Sequence, residues 1–342
     1  MEIVECDDSK REVWNQFVDR HPEGTFYHRF EWQAINRGCF GHASAYLGAF
    51  EDRQLVGIFP IVQVKSRLFG NIACSMPFVN YGGPCADRED VETALLDQAA
   101  RVVERWGCRY LEIRSRKNLG ERFPSSERKV SMTLELDGNP EKLWNAFKHP
   151  HRQAIRKGQK GGFVTKFGGA DLVDDFYGLL AESWRDLGTP IYRKSYFDAI
   201  VKAFGSFVRI CVIYHDGRPV ATAADGTHRD TVEGMWLAQR HAYRSQNVGY
   251  LLYWELIRDA CERGFRHFHL GRSTAASGGE MFKKKWNAET RQLYWQYILQ
   301  PSQSIPALNV GNPKYKLAIE TWRRLPVGLT TIIGPSIARS IP

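Results

Sequence analysis

The sequence repeats itself at long range, and this repeat limits the folds open to the chain more than any other feature. Gly24–Arg29 resembles Gly188–Arg193 at a shift of 164 residues, and Phe50–Asp52 resembles Tyr214–Asp216 at the same shift. A third block, at the end of a long predicted helix, recurs in the same order at nearly that shift. Three ordered blocks predict two copies of one unit of about 160 residues.

Each copy has the same predicted order of two helices, a hairpin, a third strand, a long helix and a short strand. Asp216-Gly217 lies between alternating apolar runs, which is typical of a hairpin turn. Gly107 and Gly264 stand where the long helices should end, and the first copy's third strand is predicted over 72–78. Hairpins pair antiparallel and strand–helix–strand crossovers pair parallel, so the fold class is α/β, with a mixed sheet flanked by helices in each copy.

A turn-rich joint at Gly138–Pro140 separates the copies. We therefore predict an N-terminal domain over 1–138, a C-terminal domain over 139–300 and a basic amphipathic tail over 301–342. One continuous helix is expected over 141–159.

The net charge of +9 favours an anionic partner, such as RNA, a nucleotide-linked substrate, a cofactor phosphate or a membrane face. Arg152, Arg156 and Lys160 recur every four residues and share one helix face. They are candidate polyanion-binding residues, and a solvated helix face is the alternative. The tail either lies on a membrane surface or packs its apolar side on the protein body. The oligomeric state stays open.

The remaining patterns narrow the class of protein. No run approaches the roughly 18 apolar residues of a membrane span, and the acidic stretch Met1–Lys10 has no apolar signal core, so we expect a cytoplasmic protein. Peripheral contact with the inner membrane through the tail stays open. Seven widely spaced cysteines with no CxxC pair indicate neither a disulfide framework nor a metal site.

The densest group of chemically useful residues is Gly271–Trp286, in which a glycine- and serine-rich loop follows a strand and leads into a short basic helix. Arg272 at the strand end can bind a carboxylate or phosphate through two hydrogen bonds. A lysine on the helix can stabilise an oxyanion. A solvated lysine run is the alternative.

Six segments along nearly the whole chain together resemble one known family: Phe26–Arg29 with Trp32, Lys65–Asn71, Pro77–Gly83, Arg185–Pro190, Gly271–Ser273 and Phe282–Trp286. The family is that of the Fem-type aminoacyltransferases and their FemAB-like relatives, including the PEP-CTERM/exosortase-associated branch. The resemblance implies two tandem GNAT-like (acyl-CoA N-acyltransferase) domains. It also implies transfer of an acyl or aminoacyl group from an activated donor to an amine of a cell-envelope or exopolysaccharide precursor, with no bound cofactor.

The resemblance also assigns roles to residues. Phe282-Lys283 matches the family's candidate active-site pair, with Lys283 as the oxyanion donor, and Glu233 on the third hairpin-linked strand is the nominated general base. The expected substrate-binding residues are Arg272, Ser273, Phe282, Tyr81 and Asn80. We expect Lys283 to point into a cleft between the copies near Arg272, and Lys285 to face solvent.

Two departures from the family leave the donor open. The helical-hairpin arm of many Fem enzymes is absent, which weakens the case for aminoacyl-tRNA. The stretch Arg244–Tyr250 keeps one glycine of a coenzyme A loop, which weakens the case for acyl-CoA. The alternative function is a non-catalytic tandem module that binds a nucleotide-linked glycan or RNA.

Overall fold

A computed structural model describes residues 1–66, 70–305 and 313–341. Arg67, Leu68 and Phe69 of the family-like segment, and 306–312 of the tail, lie outside the described residues. Contacts divide the chain into two units. Unit 1 is built from Met1–Val130 and from later segments that begin at Gln292 and Arg339. Unit 2 is built from Ser131–Arg291 and the C-terminal helices as far as Ala338.

Unit 1 contains a sheet with three helices. Its elements are β1 (Glu2–Glu5), α1 (Arg11–Arg20), α2 (Glu31–Phe40), β2 (Ser44–Glu51), β3 (Gln54–Ser66), β4 (Gly70–Cys74), β5 (Cys85–Ala86), α3 (Glu89–Arg105) and β6 (Tyr110–Ser115). The strand order is β1-β2-β3-β4-β6, with β5 paired to β3. Only β4 and β6 pair parallel among these strands.

Unit 2 repeats this order with further helices. The elements after β6 are β7 (Ser125–Glu135), α4 (Pro140–Ala146), α5 (His149–Gln159), β8 (Phe163–Gly168), α6 (Val173–Leu187), α7 (Lys194–Phe204), β9 (Val208–His215), β10 (Arg218–His228), β11 (Thr231–Gln239), α8 (Val248–Glu262), β12 (His267–Thr274), α9 (Gly278–Lys284), β13 (Glu289–Leu299), α10 (Pro313–Arg324) and α11 (Val327–Ala338). The strand order is β8-β9-β10-β11-β12, and β11 and β12 pair parallel.

The turn and stop residues read from the sequence behave as predicted. Asp216 and Gly217 both have positive φ, 48° and 72°, as a two-residue hairpin with the right-handed twist requires. Gly107 and Gly264 follow α3 and α8 with φ of 60° and 82°. This left-handed backbone ends a helix without steric cost only at glycine. The mixed α/β fold is therefore confirmed.

The last strand of each unit comes from an unexpected part of the chain. β7 follows β6 in sequence, yet its residues from Ser131 onward belong to unit 2, where β7 neighbours β12. β13 follows β12, yet Gln292–Leu299 belongs to unit 1 and pairs antiparallel with β6. Neither unit is therefore a continuous stretch of chain.

Two predicted elements differ from the structure. The third strand ends at Cys74, because Met76 and Phe78 have φ of 104° and 70° and so cannot continue a strand. The helix expected over 141–159 is broken between α4 and α5, because Pro150 suits only the first turn of a helix.

Each unit buries one face of its long helix against its sheet. In unit 1, α3 places Leu95 and Val102 against β2 and β3. In unit 2, α8 places Leu252 and Ile257 in a core shared with β10. The C-terminal helices pack on α6, where the Arg185 guanidinium donates a 3.0 Å hydrogen bond to the Leu325 carbonyl oxygen. Across the described ranges, every helix is too short or too polar to cross a bilayer.

Candidate active site

The site begins where two parallel strands of unit 2 separate. The pairing joins Thr231–Glu233 to His267–His269, although β11 continues to Gln239 and β12 to Thr274. A β-bulge lies at this point, because Ala224 of β10 faces Trp236 whereas Asp225 faces Gly234. Bulges redirect a strand and are frequent beside active sites. Gly234 and its neighbours on β11 are accordingly half-buried, whereas Glu233 is buried.

Gly271 occupies the opening between these strands. Its φ is +76°, and a Cβ there would lie 3.1 Å from the Gly234 carbonyl oxygen and 3.6 Å from the Nζ of Lys283. The position therefore requires glycine for two reasons: its φ is positive, and the Gly234 carbonyl oxygen leaves little room for a side chain. As a result, the backbones of β11 and β12 and the Lys283 amine lie close together.

Helix α9 directs Lys283 at this opening. The Ser277 side chain accepts a hydrogen bond from the Glu280 N–H, and the Glu280 carboxylate accepts one of 2.6 Å from the Ala276 N–H. Such reciprocal capping fixes where a helix starts. Lys283 follows on the face toward β12, and its Nζ donates 3.0 Å hydrogen bonds to the carbonyl oxygens of Gly271 and Arg272.

Lys283 is buried, with 9% of its surface exposed. Burial, and then the positive charge of Arg272, lower the pKa of Lys283 to about 8. An ammonium has three N–H donors, and two of them are used by the carbonyl oxygens of β12. Among the described residues, this leaves one charged donor for an anionic oxygen.

Glu233 and His269 form a buried pair next to the opening. They face each other in the parallel register, the Glu233 carboxylate lies 3.0 Å from the His269 Nδ1, and 2% and 3% of their surfaces are exposed. A buried carboxylate beside an imidazole can hold or pass a proton. The sequence offers Glu233 alone as a base, and the strand register adds His269 as its partner.

The other expected residues of unit 2 lie on β12 and α9. Arg272 and Ser273 are half-buried at the end of β12. Phe282 packs edge-on against Tyr250 and Tyr253 at centroid distances of 5.1 and 5.3 Å. Lys285 is exposed, with its Nζ 3.1 Å from the Tyr250 hydroxyl. The structure therefore places Arg272 and Ser273 at the end of β12 and Phe282 and Lys283 on α9, and it pairs Glu233 of β11 with His269 of β12.

Asn80 and Tyr81 lie in unit 1. The Asn80 side chain donates a 2.8 Å hydrogen bond to the Tyr27 hydroxyl, and the Tyr81 ring meets the Tyr27 ring edge-on at 5.2 Å. The Arg116 guanidinium lies 5.3 Å from the Tyr81 ring centroid. Both residues thus belong to a buried aromatic cluster, and their role in substrate binding stays a prediction.

The basic face of α5 is partly used within unit 2. The Arg152 guanidinium donates to the carbonyl oxygens of Asn145 and Phe147 at 3.0 and 2.7 Å, so it binds the end of α4. Arg156 lies 5.3 Å from the Trp144 ring centroid and is exposed, as is Lys160. Arg156 and Lys160 are therefore better placed than Arg152 to meet a polyanion.

The start of α8, where the sequence keeps part of a coenzyme A loop, is covered. Val248 and Gly249 are buried, and a Cβ on Gly158 of α5 would lie 3.0 Å from the Asn247 carbonyl oxygen. A Cβ on Gly249 would lie 2.7 Å from the side chain of Gln239. Arg244 and Ser245 of the same stretch are exposed, so the burial is confined to the first residues of α8.

Comparisons with known proteins agree with this architecture. Residues 146–284 match the model of a family described as an acetyltransferase (GNAT) domain. The crystal structure of FemX is similar over 93% of this chain and 100% of that chain, at 14% identity and a TM-score of 0.65. No curated protein matches the sequence.

Two further solved structures are similar at this level. For L-PGS from Bacillus licheniformis, the likeness covers 94% of this chain and 98% of that chain, at 12% identity and a TM-score of 0.58. For a tandem GNAT protein from the clavulanic acid biosynthesis pathway, the likeness covers 88% of this chain and 99% of that chain, at 14% identity and a TM-score of 0.55.

The matched family model and the shared fold place the protein. Residues 146–284 of unit 2 match a GNAT acetyltransferase domain, and nearly the whole chain shares the fold of FemX and of a tandem GNAT protein. The tandem GNAT fold inferred from the sequence is confirmed.

Proposed function

We propose that the protein transfers an aminoacyl group from an activated ester to an amine of a cell-envelope or exopolysaccharide precursor. The reaction takes place at the opening between β11 and β12. One observation carries the proposal. The buried Lys283 ammonium is held by the carbonyl oxygens of Gly271 and Arg272 where the two strands separate, with one N–H donor to spare.

The chemistry follows from that geometry. The acceptor amine attacks the ester carbonyl, the new C–N bond forms, and the carbonyl oxygen becomes an oxyanion. Lys283 donates a hydrogen bond to this oxyanion, an interaction worth about 3–4 kcal/mol for one such donor. The C–O bond then breaks, and the leaving alkoxide takes a proton.

Glu233 and His269 supply the proton acceptor. The attacking amine must lose a proton once its C–N bond has formed, and the buried Glu233–His269 pair can receive it. The His269 Nδ1 lies 3.0 Å from the Glu233 carboxylate, so a proton received by one member of the pair can be shared with the other.

The covered start of α8 supports an aminoacyl-tRNA as the donor. GNAT domains use acyl-CoA, whose pyrophosphate needs accessible N–H groups. Val248 and Gly249 are buried beneath α5 and Gln239. An aminoacyl ester does not require that site. Membership of the exosortase-associated branch stays a prediction.

The C-terminal helices support a cytoplasmic enzyme in peripheral contact with the inner membrane. Leu329, Ile332 and Ile333 lie on one face of α11, and 42%, 75% and 37% of their surfaces are exposed. The exposed Arg323 and Arg324 end α10 just before it. Apolar side chains beside cations suit an anionic bilayer surface.

The test is a transfer assay with two radiolabelled donors, aminoacyl-tRNA and acetyl-CoA, and an amine-bearing precursor peptide. We expect label to move from aminoacyl-tRNA to the acceptor amine, and Lys283→Ala to abolish most of the transfer. Transfer from acetyl-CoA alone would contradict the proposed donor. Equal turnover by Lys283→Ala and the native protein would contradict the proposed site.

A further inference from the structure

The two faces of the unit 2 sheet meet different helices at the opening between β11 and β12. Val232, Phe268 and Leu270 belong to the core that α8 forms against one face. Side chains alternate along a strand, so Glu233 and His269 point to the opposite face. Helices α6 and α7 cover that side of the sheet. We call it the α6–α7 face.

Trp236 lies on the α6–α7 face at the edge of the opening. It follows the β-bulge and stands beyond the segment Thr231–Glu233 that pairs with β12. Its neighbour Leu237 packs against the core on the α8 side, so Trp236 points the other way. The Trp236 ring meets the rings of Tyr196 and Phe197 edge-on, at centroid distances of 6.0 and 5.2 Å. Both of these rings belong to α7, as the assigned face requires.

The Trp236 ring is fixed in place but is only half-buried. Tyr196 and Phe197 beneath it are buried, whereas part of the indole stays at the surface. A ring that its neighbours already hold binds a ligand without the entropy cost of ordering a flexible side chain. An indole also presents a large, flat and mostly apolar surface. Trp236 therefore offers a preformed flat surface beside the opening.

The other face of the opening is filled by aromatic side chains. Phe282 of α9 packs edge-on against Tyr253 of α8 at 5.3 Å, and Tyr253 stacks on the fully buried Trp286 at 5.5 Å. Lys283 reaches β12 from this side, because it belongs to α9. This packing leaves the α6–α7 face as the approach for an acceptor.

The charges at the opening determine which part of the acceptor is recognised. Burial, and then the positive charge of Arg272, lower the pKa of Lys283. The same two cationic side chains repel an ammonium and so favour the neutral amine that attacks an ester. The binding free energy must therefore come from the part of the acceptor that carries the amine, and not from a charge on the amine itself.

We propose that Trp236 binds the acceptor by stacking on the ring of an amino sugar, with the amine of the sugar directed at the opening. Trp236 lies two residues beyond Gly234, about 7 Å along the strand. An amino sugar carries its amine directly on a ring, so one molecule can cover Trp236 and reach the opening. A linear amine such as a lysine side chain has no ring to stack. The inference rests on the proposed transfer reaction, in which Trp236 is a substrate-binding residue.

The first test measures binding and needs no transfer. The native protein, with isotope-labelled tryptophan, is titrated with a glucosamine disaccharide and with Nα-acetyl-lysine amide, and the indole N–H signals are followed by nuclear magnetic resonance. Trp236→Phe identifies the Trp236 signal by its loss. We expect the disaccharide to shift this signal and the lysine derivative to leave it in place. A signal that the disaccharide does not move, or equal shifts with both probes, would overturn the proposal.

The matched control for these measurements is Trp184 of α6. Its ring is also half-buried and packs against Tyr192 at a centroid distance of 5.3 Å, but it belongs to a helix and not to the strand at the opening. Trp184→Phe should therefore bind the disaccharide as the native protein does. Loss of binding in this variant would contradict a specific role for Trp236.

The second test measures transfer to the amino sugar. Trp236→Leu should raise the KM for the acceptor about tenfold and leave kcat nearly unchanged, because the ring binds the acceptor and does not touch the oxyanion. Trp236→Tyr keeps a flat ring and should retain most of the affinity, which separates stacking from a folding defect. An unchanged KM in Trp236→Leu would overturn the proposal. Absence of transfer to any acceptor would contradict the proposed function, and the indole signal would then decide the binding inference by itself.

Discussion

The Nζ of Lys283 lies 3.0 Å from the carbonyl oxygen of Gly271, and a Cβ added to that glycine would lie 3.6 Å from the same nitrogen. The most buried lysine of α9 and the glycine with positive φ on β12 are therefore mutually dependent. A change at either residue should affect the other.

The first prediction concerns this glycine. Gly271→Ala places a side chain at φ +76° and 3.1 Å from the Gly234 carbonyl oxygen. The backbone conformation alone costs about 1–2 kcal/mol, and the close contact adds to it. Gly264→Ala is the matched control, because its φ is +82° and nothing lies within 4 Å of its Cβ. Urea unfolding should show a larger loss of stability for Gly271→Ala, and equal losses would refute the close contact.

The second prediction concerns turnover. Lys283→Ala should lower kcat about 10²–10³-fold, because it removes the charged donor to the oxyanion. Lys285→Ala should leave kcat at saturating donor unchanged, since Lys285 lies on the exposed side of α9. Single-turnover transfer with both variants makes the comparison. Similar kcat values would mean that the lysine run is only a charged surface.

The third prediction concerns pH and stability. The pKa of Lys283 falls from 10.5 in the unfolded chain to about 8 in the folded protein. Between these values the unfolded state binds more protons, so stability rises with pH from about 8 to 10.5. The gain attributable to this lysine is roughly 3 kcal/mol. Urea unfolding at pH 7 to 10.5 should show this rise in the native protein relative to Lys283→Met, and parallel curves would count against a lowered pKa.

The fourth prediction separates the three basic residues of α5. Arg152→Ala should lower the free energy of unfolding by about 1.5–3 kcal/mol, since its guanidinium binds two carbonyl oxygens at the end of α4. Arg156→Glu with Lys160→Glu should leave stability unchanged and flatten the salt dependence of binding to a single-stranded RNA oligonucleotide. An unaltered salt slope would identify these two residues as a solvated face.

The fifth prediction concerns the C-terminal helices. Ile332→Asp should reduce co-sedimentation with vesicles of anionic phospholipid, because it adds a negative charge to an exposed apolar face. Phe207→Asp is the control, since Phe207 is an exposed apolar residue elsewhere in unit 2. Vesicles of zwitterionic lipid should bind weakly. Equal losses from both substitutions would exclude a specific role for α11.

The sequence was informative where local chemistry dictates the backbone. Asp216-Gly217 and the helix-stopping Gly107 and Gly264 required no long-range information, because positive φ at these positions follows from residue type. The break between α4 and α5 was also available from Pro150. In that case the helical spacing of the residues predicted one continuous helix, although proline is tolerated only in the first turn of a helix.

Features that depend on strand register could not be read in advance. Glu233 and His269 are 36 residues apart, and only the parallel pairing of β11 with β12 places them 3.0 Å from each other. The same is true of Arg152, whose partners are carbonyl oxygens that a helix break exposes. Composition shows a basic face, whereas contacts show which of its charges are already bound.

The origin of the strand beside β6 has a consequence for synthesis on the ribosome. β13 pairs with β6 through Tyr294–Leu299, so the edge of β6 stays unpaired until almost 300 residues have been translated. An exposed strand edge is a site for wrong pairing with other chains. The nascent protein therefore exposes one edge of β6 while its second half is made, and wrong pairing with another chain can begin at this edge.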